Sequence, residues 1–129
     1  MTQRQTITGE AAGSGLTESF KSVALVKRRE DMTHEQYREH QLGTHAPLSH
    51  KLPGLITYEY FDFPPSAEGE DQPYDGMAVL EWESLAAFQE ALASEQGAAA
   101  LADLPNFLDP EMMLTLTGPT MLWRDGLGS

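Results

Sequence analysis

The sequence predicts an α+β fold: a four-stranded antiparallel sheet with two helical segments, in the order β-α-β-β-α-β. Three observations predict it. Four short runs rich in β-branched and aromatic residues are bounded by Gly, Pro or charge. Two helical stretches, opened by Thr33 and Ser84, fall after the first and third runs. At 129 residues with 40% hydrophobic content, the chain suits one such domain with a real core. This order is the ferredoxin-like arrangement.

Residues 1–18, rich in Thr, Gln, Gly, Ser and Ala, read as a flexible arm. Residues 20–28 form the first strand, and Thr33 with Gln36 three residues on is a capping-box pair. That helix should run to about His45, where Pro47 and the Pro53–Gly54 turn prevent its continuation. Residues 55–61 are the second strand, 64–73 a polar acidic loop, and 75–83 the third strand. Ser84 caps a helix through Phe88, Ala91 and Leu92, and a second helical piece covers 97–104. After the connection 105–110, residues 112–123 are the last strand, so that the folded domain is 19–124 and 125–129 a flexible tail.

Two helices cover one face of a four-stranded sheet. Yet in the third strand Met77 and Val79 point one way while Ala78, Leu80 and Trp82 point the other. A strand apolar on both faces is buried on both, and no element of the chain is left over to cover the second face. The same sheet of another copy does so, giving a homodimer with space for a ligand between the sheets or between sheet and first helix.

Charge and composition restrict the partners. The formal net charge of −12 disfavours nucleic acid and anionic membrane surfaces. No cysteine is present, which removes disulfides and thiolate chemistry. The first residues show no apolar signal segment and no run is long enough to span a bilayer, so a cytoplasmic location is expected.

Met32-Thr-His-Glu-Gln-Tyr37, then Thr44-His-Ala-Pro-Leu-Ser-His-Lys-Leu-Pro-Gly-Leu55, resembles the EthD family of the dimeric α/β barrel superfamily. The similarity continues through residues 74–82 and 94–109 and spans most of 20–123. The resemblance implies the dimeric barrel, in which two ferredoxin-like subunits pack sheet to sheet. The superfamily holds isomerases, dehydratases, cyclases, lyases, cofactor-free oxygenases and proteins without an assigned role. Members often carry Trp four residues before the motif His; here that position is Gln41, preceded by His40, so a bulky apolar wall has become polar.

The candidate residues cluster around that motif. In catalysing relatives the residue matching His45 acts as a general acid/base or orients the ligand, and its ordinary pKa near ~6.5 suits proton transfer. The alternative is a histidine that bonds a backbone carbonyl and holds the turn. His50 is either a second pocket group or a solvated turn residue. His34 is expected at the surface, and His40 on a solvated face, although its place beside Gln41 keeps it a binding candidate. Tyr37, Gln41 and Thr44 share a helix face and are expected to line a pocket, since buried amides and hydroxyls need partners. Tyr58 and Tyr60 share one face of the second strand, where a phenol steadies an oxyanion or stacks on a ring. Glu81 lies on the face of Met77 and Val79, as a desolvated acid/base or paired with Lys21, Lys27 or Arg28. Trp82 adds apolar wall.

The histidine spacings do not match a helix-borne metal pair, and there is no phosphate loop or nucleotide fingerprint, so neither metal nor cofactor is expected. With the resemblance, these residues imply a cofactor-free lyase, dehydratase or isomerase acting on a small cyclic or aromatic metabolite. His45 would move the proton, with Tyr58, Tyr60 or His50 steadying the developing oxyanion and loop 64–73 either closing over the site or merely connecting strands. A non-catalytic ligand-binding dimer of a degradative pathway and a cofactor-independent oxygenase are the alternatives.

Overall fold

The computed structural model describes the backbone of residues 16–123 and the side chains of 19–121. The tail 125–129 and all of the N-terminal arm but residues 16–18 lie outside the described residues. The first strand, β1, is Leu16–Val26. It starts before Phe20 because the last strand is long enough to pair back to Leu16 through Trp123. It stops before Arg28 because that residue's N–H donates to the Asp75 carboxylate at 2.8 Å instead of a neighbouring strand.

Helix α1 is His34–His40, opened by the expected capping box: the Gln36 N–H donates to Thr33 Oγ1 at 3.1 Å and the Thr33 N–H to Gln36 Oε1 at 2.9 Å. The helix does not end near His45. A widened π-turn, Gln41–His45, leads into α2, Ala46–Ser49. The Ala46 N–H reaches back five residues to the Gln41 carbonyl, which opens the coil just where Pro47 would otherwise crowd the preceding turn. Pro47 therefore sits inside a continuing helix.

Strand β2, Leu55–Asp62, carries a bulge between Leu55 and Thr57. Strand β3 is Gly76–Trp82. Helix α3, Leu85–Ala93, is capped by Ser84, and Ser94 both ends α3 and caps α4, Glu95–Asp103. The expected connection forms two 3₁₀ turns, Leu104–Asn106 and Pro110–Met112, pinned to the end of β1 by the bond from Asp109 N–H to the Lys27 carbonyl. Strand β4 is Leu114–Trp123. The sheet order is β2-β3-β1-β4, all antiparallel, and Pro119 is tolerated because β4 is an edge.

The helices cover one sheet face, that of Ser22, Ala24, Val26, Tyr58, Tyr60, Ala78 and Leu80. Two core clusters form there. One joins Val26, Tyr37, Phe107 and Leu108; the other joins Leu52, Trp82 and Ala91. The buried Trp82 indole donates to Ser22 Oγ at 3.1 Å. The opposite sheet face carries Val23, Leu25, Met77 and Val79, with Phe61, Leu114 and Leu116 exposed.

Gly76 is set by close approach. A Cβ there would run into the hydroxyls of Tyr37 and Tyr60, which are 2.6 Å apart. Gly76→Ala is expected to destabilise the fold by about 1–3 kcal/mol, because rigid rings must move. Urea unfolding checks this, and unchanged stability would contradict the tight seating of the two phenols.

Candidate functional site

A cavity of about 240 Å³ lies between the two core clusters, walled by the sheet below and by the first helical segment, α3 and α4 above. Leu80, Phe88, Phe107 and Leu108 make most of its lining apolar, with the exposed Leu92 and Leu101 among its wall residues. The polar groups on the wall include Gln41, His45, Ser49, Tyr58 and Tyr60.

The π-turn decides which helical residues face inward. Had the coil stayed regular, Thr44 would accompany Gln41 on the cavity side. The extra residue in the turn puts His45 there instead and turns Thr44 to solvent. Tyr37 is fully buried but belongs to the core below the cavity, not to its wall.

His45 Nδ1 donates to Asp103 Oδ2 at 2.9 Å. With Asp103 ionised, that contact fixes the proton on Nδ1 and leaves Nε2 as an acceptor with no protein partner among the described residues. Burial pushes the His45 pKa below its ordinary value, and a charge on nearby His40 would push the same way, against the pull of Asp103. The imidazole is thus neutral at pH 7.

Asp103 ends α4, where a helix dipole disfavours a carboxylate, and it is 6% exposed. Three side-chain donors compensate: His45, Asn106 Nδ2 at 3.0 Å, and His40 Nε2 at 2.9 and 3.0 Å from its two oxygens. Despite burial, the bonds from Asn106, His40 and His45 hold its pKa below the usual carboxylate range. The Phe107 ring lies against both imidazoles, its centroid 4.5 Å from that of His40 and 5.0 Å from that of His45. His40 is therefore neither on a solvated face nor on the cavity wall; it sits behind His45, holding the shared carboxylate.

On β2, Tyr58 lines the cavity and its hydroxyl accepts from Gln41 Nε2 at 2.7 Å, with Ser49 a second hydrogen-bond partner. Burial raises its pKa, so the phenol keeps its proton at neutral pH. His50 is exposed and leans on the outside of the Tyr58 ring, centroids 5.7 Å apart. Glu81 is on the opposite sheet face, where it accepts from Thr57 Oγ1 at 3.2 Å and stands across from Lys21 in the strand register. Trp82 is core. The structure thus brings His45, Gln41, Tyr58 and Tyr60 to one cavity, but not His50, Thr44 or Glu81. No residue of loop 64–73 lines it; Asp71 of that loop is instead tied to Arg28 at 3.1 Å.

His34 is not at the surface. It is 7% exposed, with Nδ1 2.8 Å from Asp75 Oδ1 and Nε2 3.0 Å from Asp62 Oδ2. A carboxylate at each ring nitrogen requires both N–H groups, hence the imidazolium. Burial works to lower its pKa, but Asp62 and Asp75 outweigh it and raise the value. Arg28 Nη1 reaches Asp75 at 2.6 Å, and despite burial the Arg28 and His34 bonds depress the Asp75 pKa. The Tyr60 hydroxyl donates to Asp62 at 2.9 Å and receives the Tyr37 hydroxyl, and burial raises both phenols' pKa values. A bonded chain thus runs from Arg28 to the cavity wall at Tyr60.

No local pattern in the sequence marks Asp103 or Asp75. The available signal for Asp103 was an acidic residue at a helix C-terminus, just before Pro105–Asn106, where the dipole argues against one.

No helix among the described residues is long and apolar enough to cross a membrane. No curated protein matches the chain. Among solved structures, an ethyl tert-butyl ether D (EthD) family protein from Bacillus halodurans C-125 is 27% identical, covering 78% of this chain and 96% of its own, with a TM-score of 0.65. A Dabb family protein with a ferredoxin-like fold from Mesorhizobium loti is 13% identical, over 78% and 95% of the two chains, at a TM-score of 0.61. A dimeric ferredoxin-like protein of unknown function from Thermobifida fusca YX is 19% identical, over 81% and 92%, at 0.57. These likenesses agree with the ferredoxin-like sheet described above. The EthD domain model matches residues 29–111, which contain His45, Asp103 and the bonded chain from His34 to Tyr60. The chain belongs to the EthD family.

Proposed function

We propose that the cavity is the active site of a cofactor-free lyase, dehydratase or isomerase for a small cyclic or aromatic metabolite. The observation that carries this reading is the Asp103–His45 pair: a neutral imidazole, its Nδ1 proton fixed by a buried carboxylate, in the wall of an apolar cavity. In that arrangement Nε2 takes a proton from a carbon next to a carbonyl, or from a phenol, and the carboxylate stabilises the imidazolium that forms. The Tyr58 O–H donates to the oxygen on which negative charge develops, oriented by Gln41 and Ser49. The same imidazolium returns the proton at the end of an isomerisation or to a leaving group in an elimination.

The test is turnover of a panel of cyclic ketones and phenols by the wild-type protein and by His45→Ala. The expected result is loss of turnover in a variant that still folds and still binds. A His45→Ala protein that binds and turns over as wild type would remove the catalytic role of His45, and binding without turnover by the wild type would leave a ligand-binding dimer.

We further propose a homodimer in which a second copy covers the open sheet face of Val79, Leu114 and Leu116; the ferredoxin-like protein from Thermobifida fusca is itself described as dimeric. Light scattering is expected to give twice the chain mass for wild type and the chain mass for Leu116→Glu, because a carboxylate cannot be left unpaired in a sheet–sheet seam. A wild-type monomer at micromolar concentration would contradict it.

A further inference from the structure

Resting on the reading of this cavity as a ligand site, we infer that it selects an uncharged ring compound carrying one hydroxyl or carbonyl oxygen, and rejects both carboxylates and ammonium ions. The wall contains no Asp, Glu, Lys or Arg among the described residues. Its polar side chains are neutral: the Gln41 amide, the Ser22, Ser49, Tyr58, Tyr60 and Thr115 hydroxyls, and the His45 imidazole. Much of this polarity is already spent within the protein, Gln41 on Tyr58 and Tyr60 on Asp62. Two complementary atoms can meet a ligand oxygen there, the acceptor His45 Nε2 and the Tyr58 O–H. A hydroxyl satisfies both and a carbonyl satisfies the second, while the rest of the ligand meets Leu80, Phe88 and Phe107.

The charges behind the wall sharpen the selection. The carboxylate of Asp103 lies directly behind His45, and that of Asp62 directly behind Tyr60. An anion entering the cavity loses its water, finds no cation on the wall and approaches two carboxylates. The nearby cations are committed elsewhere: His34 lies between Asp62 and Asp75, and Arg28 pairs with Asp75 and Asp71. A cation feels the pull of those carboxylates but must shed its water without a contact to replace it. Asp103 accepts from His40, His45 and Asn106, and Asp62 from His34 and Tyr60, so neither carboxylate is offered to the cavity.

The test is calorimetric titration of the full chain at neutral pH with three probes sharing one ring system: naphthol, naphthoate and naphthylmethylammonium. Naphthol is expected to bind at least about tenfold more tightly than either ion. Either ion binding as tightly as naphthol, or no binding by any of the three, overturns the inference. Tyr58→Phe is expected to weaken naphthol several-fold and leave unsubstituted naphthalene unchanged; equal weakening of both would show that the phenol acts only by shape. The wild-type ranking stands as a test even if that variant fails to fold. It also needs no turnover. A protein that ranks the probes as expected yet catalyses nothing removes the enzyme reading alone, and an ion preference beside a His45-dependent turnover removes the substrate class alone.

Discussion

Asp75→Ala is expected to destabilise the fold by about 3–5 kcal/mol, the cost typical of breaking a buried ion pair from one side. Asp75 is 2% exposed and accepts from the Arg28 N–H, the Arg28 guanidinium and His34 Nδ1. Its removal leaves these donors without that acceptor and leaves a buried imidazolium with Asp62 alone. The damage reaches the cavity, because His34 orients Asp62 and Asp62 receives the Tyr60 hydroxyl. Urea unfolding at pH 7 measures the loss, and a change below about 1 kcal/mol would contradict the network's structural weight. The same network makes stability depend on pH. The His34 pKa is raised in the fold, so its contribution is complete below the unfolded value near ~6.5 and is lost as pH rises through the folded value. The Asp75 pKa is lowered, so its contribution is present above about 3.9 and is lost as pH falls through the folded value. Wild-type stability should therefore fall on the alkaline side of pH ~6.5, and in Asp75→Ala that fall should shrink.

Asp103→Asn is expected to lower turnover by about 10²–10⁴-fold with little change in substrate affinity, as happens when a catalytic imidazole loses its tautomer. A carboxylate offers acceptor sites on both oxygens, and Asp103 receives three side-chain donors. An amide has one acceptor oxygen and presents N–H groups where the other stood. It cannot serve His40, His45 and Asn106 together. Where the amide nitrogen faces His45, Nδ1 becomes the acceptor and the proton moves to Nε2, the atom that must take a proton from the substrate. The same mismatch should cost about 1–3 kcal/mol of stability. Turnover within about threefold of wild type would show that Asp103 is structural only.

The order of elements was legible because its signals are local. Thr33 with Gln36, Ser84 at its helix start and the alternation along residues 77–82 each report on a few neighbouring residues. The apolar character of the second sheet face was legible because parity in a strand fixes which side a residue takes. What failed had non-local causes. His34 reads as a surface residue from its helix position, and it is buried only because Asp62 and Asp75 arrive from the far end of β2 and the start of β3. His40 looks solvated on a helical wheel, but Asp103, distant in sequence, brings it inward. A regular helical period puts Thr44 on the cavity side, and the π-turn shifts that period by one residue. The same turn explains why Pro47 does not end the helix. Family resemblance points to His45, whereas its partner shows only in the fold, since the two lie 58 residues apart.

The chemistry proposed for the cavity depends on His45 being a neutral imidazole with its proton on Nδ1. Nitrogen-15 NMR of the side chain reports this directly and needs no substrate. The prediction is that at pH 7 the His45 ring is neutral, with a protonated Nδ1 and an unprotonated Nε2, and that it titrates below the ordinary histidine value near ~6.5. A ring protonated on Nε2 at pH 7, or one that titrates above that value, would contradict it.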